Sequence, residues 1–160
     1  MKLRTFIFSG VLVGLLHAVA AAQTSASVVK VSPGEATYKV KKGTSARVTV
    51  VMEVQAGYHV NSNRPSDKNL IATALKLERG EGLAPGAVTY PKAKLQKFGF
   101  SDKPLSVFEG RVEMKFLVRA LPSAKDGAQN VRGKLTVQAC NDEACLRPQT
   151  IDVSIPIQIQ

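Results

Sequence analysis

The chain is predicted to be all-β, an immunoglobulin-like antiparallel β-sandwich. Three observations carry that prediction: apolar residues recur with a period of two, turn residues separate the apolar runs at short spacing, and no stretch sustains a helical period. The clearest alternation sets Val48, Val50, Met52 and Val54 against Thr49, Glu53 and Gln55. The next sets Val112, Met114, Phe116 and Val118 against Arg111, Glu113, Lys115 and Arg119. Each run reads as a strand with one face on a core and one in water.

Residues 1–22 stand apart from that pattern. Lys2 and Arg4 precede an apolar run from Phe6 to Ala21, and Ala20-Ala21-Ala22 offers the small residues of a cleavage site, so a secretory signal is expected with cleavage after Ala22 or Ala20. The run is too short for a confident membrane span, and no later stretch approaches the roughly 20 apolar residues a bilayer needs. A soluble mature protein of residues 23–160 is therefore expected, periplasmic or secreted and not membrane-embedded. It is long enough for a single domain that buries about two-thirds of its unfolded surface.

Within that domain, weaker strands are expected near residues 28–31, 36–40, 58–61, 74–77 and 88–90. Stronger ones follow at Leu135, Val137 and Ala139 and at Ile151, Val153, Ile155 and Ile157. Turn signals lie between them, among them Ser32-Pro33-Gly34, Lys42-Gly43, Ala56-Gly57, Arg79-Gly80-Glu81-Gly82, Pro85-Gly86, Glu109-Gly110 and Lys125-Asp126-Gly127. Roughly seven to nine strands result. Residues 91–104 read as one long irregular loop, basic and aromatic, of the kind that often serves a function.

Charge narrows the partners. The sequence holds 22 Lys and Arg against 12 Asp and Glu; the signal takes Lys2 and Arg4 with it, leaving 20 against 12, a net +8. The basic residues are scattered (Lys39, Lys41, Lys42; Lys92, Lys94, Lys97; Arg111, Lys115, Arg119), no helix presents them, and no RNA-binding aromatic motif accompanies them. Nucleic acid is not expected as a partner; acidic proteins or a membrane surface suit the excess better.

Cys140 and Cys145 are the only cysteines. In an oxidising compartment they either staple the chain or exchange disulfides. A disulfide between them closes a ring of only six residues, restraining the unfolded chain by about 2 kcal/mol, the low end for a staple. A turn of Asn141 to Ala144 sets the two nearly opposite on neighbouring antiparallel strands, at a Cα separation of roughly 4.5–5.5 Å. With Leu135, Val137 and Ala139 inward, Cys140 falls on the outward side with Thr136 and Gln138. Redox exchange, a local structural disulfide and metal binding all stay open on these grounds. Metal has the thinnest ligand set, two thiolates and His59, and no cofactor is implied. Asp142 and Glu143 would disfavour a nearby thiolate and Arg147 would favour one.

The sequence also resembles a family, the N-terminal periplasmic domain of the thiol:disulfide interchange protein DsbD. The resemblance spans roughly residues 45–157 and rests on Gly57-Tyr58-His59-Val60-Asn61-Ser62-Asn63, Tyr90-Pro91, Lys97-Phe98-Gly99-Phe100, Val107-Phe108-Glu109-Gly110 and Gln138-Ala139-Cys140-Asn141-Asp142-Glu143-Ala144-Cys145-Leu146-Arg147-Pro148. It implies an immunoglobulin-like thiol:disulfide oxidoreductase whose Cys140/Cys145 pair is reduced by a membrane-linked thiol reductase and in turn reduces thioredoxin-fold periplasmic proteins. It implies that Cys145 forms the mixed disulfide and Cys140 resolves it. It further implies an aromatic cap, here residues 97–103 with Phe98 and Phe100, over a pocket to which His59, Asn61 and Asp102 belong.

The alternatives are bland: His59 as an ordinary hydrogen-bonded histidine, Phe98 and Phe100 as core residues of a short strand, and the whole as a non-enzymatic interaction domain with a structural disulfide. Two departures from the family stand out. The cap has one acidic residue, Asp102, in place of an acidic pair, and His59 and Asn61 replace aromatic residues. The family's multidomain members continue into a membrane segment and a thioredoxin-like domain, whereas this sequence ends at Gln160, so its electrons are expected to come from a separate protein.

Overall fold

A computed structural model of the chain describes residues 23–80 and 82–160. The expected signal lies outside the described residues. One turn of helix, α1 (Ser25–Val28), leads into β1 (Val29–Pro33). There follow β2 (Tyr38–Val40), β3 (Ser45–Val54), β4 (His59–Asn61), β5 (Ala74–Leu77), β6 (Leu83–Pro85), β7 (Lys94–Gln96), β8 (Leu105–Phe108), β9 (Arg111–Ala120), β10 (Gly127–Val137), β11 (Ala139–Cys140) and β12 (Gln149–Ile159).

The long strands form as the alternation dictates. β3 pairs antiparallel with β9 so that Val48 faces Phe116, Val50 faces Met114 and Met52 faces Val112, all buried. This sheet runs in the order β1-β3-β9-β6. A second sheet, β2-β12-β10-β5, packs against it and supplies Val131, Leu135, Val153, Ile155, Ile157 and Ile159 to the same core. Burying each such side chain contributes roughly 1.5–3 kcal/mol. Among the strands of the described residues, antiparallel pairing holds with one exception: β2 lies parallel to β12.

A third sheet, β11-β4-β8-β7, positions the cysteines. Its strands are short and two-faced. Val60 pairs with Phe108 and with Ala139, and these three join the main core. On the opposite face lie His59, Asn61, Val107 and Cys140, since neighbours along a strand point to opposite sides. On that second face Val107 joins a satellite cluster with Phe98, Leu105 and Leu70.

Several expected elements differ. Residues 88–90 make a single bridge, Thr89 to Lys115, because Gly86 and Pro91 bracket a stretch too short to extend a ladder. The run through Ala139 is broken at Gln138: β10 ends at Val137 and the chain crosses to the third sheet as β11. Residues 91–104 are not wholly irregular, for β7 lies within them and pairs with β8. β6 and β8 were not expected at all, being three and four residues long with no sustained alternation. At the expected turn near residue 82, Gly82 has φ +78°, and an added Cβ would sit 2.5 Å from the Ala124 Cα, so only glycine fits.

Candidate functional site: a cystine hairpin under an aromatic loop

Cys140 and Cys145 are disulfide-bonded, with Cα atoms 3.9 Å apart. That is closer than the separation expected from sequence. Leu146 N–H donates to the Ala139 carbonyl at 2.8 Å and Asn141 N–H to the Ala144 carbonyl at 3.0 Å, so the cysteines form the narrow, non-hydrogen-bonded pair between two backbone bonds. The turn is held by Asn141, whose Oδ1 accepts from the amides of Glu143 (3.0 Å) and Ala144 (2.8 Å). An asparagine that opens a four-residue turn is ordinary turn chemistry and is legible in the sequence at Asn141.

The two cysteines differ in exposure. Cys145 is exposed, whereas Cys140 retains 1% of its surface. The alternation correctly set Cys140 on the face opposite Ala139, but there Cys140 is buried rather than open to solvent. His59 is the register partner of Cys140 on β4, and Cys145 bridges Cys140 from the other side. Directly opposed residues project to one face with Cβ atoms roughly 4.5–5.5 Å apart. His59, Cys140 and Cys145 therefore stand in a row.

The segment after β7 lies against the His59 end of that row. Phe98 is buried and stacks on His59 with ring centroids 4.0 Å apart and planes 20° apart. Phe100 stacks on Phe98 at 5.5 Å and is 42% exposed. Neither phenylalanine belongs to a strand, so the short-strand alternative does not hold, although Phe98 is a core residue of the satellite cluster. Lys97 clasps the segment through its Nζ, which donates to the carbonyls of Ser101 and Asp102. Asp102 is exposed and engages Lys97 by its backbone oxygen.

Beneath the rings, His59 is 2% exposed and its Nε2 finds no hydrogen-bond partner among the described residues. Burial holds its pKa below the usual 6.5, opposed by the negative charges of Glu109 and Asp142. The fold thus makes His59 a buried rather than a half-exposed side chain, with one ring nitrogen lacking a partner among the described residues. Asn61, fully buried two residues on, donates through Nδ2 to the Ile71 carbonyl at 3.2 Å and leaves Oδ1 unpaired.

One further residue was invisible in the sequence. Ser25 Oγ donates to the Arg147 carbonyl at 2.8 Å and accepts from the Ala139 amide at 2.9 Å, tying together the two strands at the base of the hairpin. Its partners lie 122 and 114 residues away, beyond the reach of any local pattern. Among the described residues, no group of three or more His, Cys, Asp or Glu is placed to hold a metal ion, and no helix is long and apolar enough to cross a membrane.

Fold and site together define an immunoglobulin-like sandwich domain with a half-buried cystine in a surface hairpin, beside a histidine stacked under aromatic rings. The chain belongs to the family described as thiol:disulfide interchange protein DsbD, N-terminal, which it matches over residues 25–156. No curated protein is significantly similar to it in sequence. Similar solved structures include BcpA, the major pilin subunit of Bacillus cereus, with a TM-score of 0.46 and 6% identity over 82% of this chain and 40% of that one. Another is the ASH/PapD-like domain of human CEP192 (PapD-like domain 7), with a TM-score of 0.37 and 10% identity over 95% and 98% of the two chains. The chain thus spans less than half the length of the pilin.

Proposed function

We propose that the protein is a periplasmic thiol:disulfide exchange domain that passes electron pairs through Cys140 and Cys145 to or from thioredoxin-fold partners. The observation that carries this reading is the unequal exposure of one cystine: Cys145 faces solvent while Cys140 is buried beside it. A partner thiolate or disulfide meets Cys145 first. Cys140, held within bonding distance, then displaces the partner from the mixed disulfide. Family membership supports the same chemistry. On this reading Phe98 and Phe100 cap the pair, His59 and Asn61 line the pocket beneath, and Asp102 belongs to the cap. A membrane-linked thiol reductase supplies the electrons, after a signal peptide of residues 1–22 has been removed.

The test is trapping. With Cys140→Ser, a mixed disulfide through Cys145 to a thioredoxin-fold periplasmic protein should persist on a non-reducing gel, and Cys145→Ser should trap little. Wild-type protein, reduced beforehand, should reduce a substrate disulfide once per molecule until a thioredoxin-like reductant is added. Trapping mainly through Cys140 would invert the roles. No trapping by either variant would leave an interaction domain with a structural disulfide.

A further inference from the structure

The buried edge of His59 has no use in the oxidised protein. Its Nε2 is buried with no partner among the described residues, and an unpaired buried polar atom costs stability without return. The row of paired residues names the group able to satisfy it. Cys140 is its direct register partner on the same face, and a cystine sulfur carries no hydrogen to offer. A thiol does. Reduction of the disulfide therefore places a donor on the register partner of His59, whose Nε2 can accept in the Nδ1–H tautomer and whose ring Phe98 holds by stacking at 4.0 Å.

We propose that His59 is the proton acceptor for Cys140, its Nε2 taking the thiol hydrogen so that Cys140 becomes the thiolate that resolves the mixed disulfide. This rests on the exchange reading above. In the step, the Cys140 S–H proton passes to Nε2 and the sulfur electron pair forms the bond to Cys145 Sγ. The bond from Cys145 to the partner's sulfur breaks, and its electron pair leaves on the partner thiolate, which is protonated by the imidazolium or by water. The partner's disulfide is reduced by two electrons and the Cys140/Cys145 dithiol is oxidised.

The surroundings suit the role. Burial keeps the imidazole neutral at neutral pH and so able to accept. The charged groups acting on it are Glu109, from the β8–β9 turn, and Asp142, from the cysteine hairpin; both favour the imidazolium once it forms. The cap presents aromatic rings to it, with Asp102 and Lys103 exposed.

The experiment is rapid mixing of reduced full-length protein with dithiobis-nitrobenzoate, which needs no protein partner. The first thionitrobenzoate is released as the reagent couples to Cys145, and the second, independent of reagent concentration, as Cys140 displaces it. A thiol with pKa about 8.5 is only about 3% ionised at pH 7. The second phase should therefore slow by roughly ten- to thirtyfold at pH 7 in His59→Gln. Its rate in that variant should climb about tenfold per pH unit toward 8.5, where wild type is much flatter. His59→Phe keeps the stack on Phe98 without the nitrogen and should behave alike, which covers the case in which His59→Gln fails to fold. By NMR, the His59 ring resonance, assigned by its loss in the variants, should titrate at a different pH in the reduced protein than in the oxidised. An unchanged second phase in both variants, or identical titrations in the two redox states, overturns the assignment while leaving the exchange reading standing. A wild-type protein with no second phase overturns both.

Discussion

In the body of the sandwich, Val50 faces Met114 and Val131 faces Ile155 along strands of 10 and 11 residues, and the core between the two long-stranded sheets is apolar throughout. In the sheet that positions the cysteines, no strand exceeds four residues, and the five buried polar residues among those described, Ser25, His59, Asn61, Ser62 and Thr73, lie in or beside it. Directional bonds replace bulk burial there. Thr73 Oγ1 donates to the Asn61 carbonyl, the Ser62 and Ser106 hydroxyls share a hydrogen bond of 2.8 Å, and Ser25 bridges Ala139 and Arg147. Area burial tolerates apolar residues of similar size at a cost usually below about 1.5 kcal/mol, whereas a hydrogen bond weakens steeply once bent below about 120°. The body supplies stability and the site end supplies position.

Substitutions can break or sharpen that contrast. The largest loss of stability is expected in the body: Ile155→Ala, at a fully buried position, should cost about 2–5 kcal/mol in urea unfolding while leaving the alkylation rate of the folded, reduced protein unchanged. Ser25→Ala comes next, at about 1–3 kcal/mol, because it leaves the buried Ala139 amide without an acceptor. Unlike the first, it should also accelerate hydrogen exchange at Ala139. A rise confined to global unfolding would make Ser25 part of the body rather than of the site.

Replacing both cysteines by serine should cost about 2 kcal/mol or less and leave the sandwich folded, since the ring is short. A double variant unfolded at room temperature would make the cystine a staple. Phe100→Ala, at a 42% exposed position, should shift stability by no more than about 0.5 kcal/mol yet raise the rate at which a small maleimide alkylates the reduced protein. Phe98→Ala should raise that rate further, and unchanged rates in both would remove the cap.

The smallest effect is the pH dependence from His59. Its folded-state pKa lies below 6.5, so the unfolded chain binds the proton more readily. The contribution is full above pH 6.5 and is lost as pH falls from there through the folded value. His59→Phe should flatten the stability profile in that window, as measured by urea midpoints from pH 7.5 downward.

The sequence by itself determined the body and the pairing of the cysteines as neighbours. Alternation at Val48 to Val54, at Val112 to Val118 and at Ile151 to Ile157 reports which side of a strand meets the core, because a strand's side chains change face at every residue. By the same rule it set Cys140 opposite Ala139. The resemblance in the segments around Cys140 and Phe98 named the family. Only the tertiary structure decided what covers that opposite face. The stacking of Phe98 on His59 and the reach of Ser25 to Ala139 join residues 39 and 114 apart, the break at Gln138 moves the chain from one sheet to another, and none obeys a period. A period records a surface that continues along the chain; a site is assembled from segments that meet once, and the physical constraint on each is its partner in space.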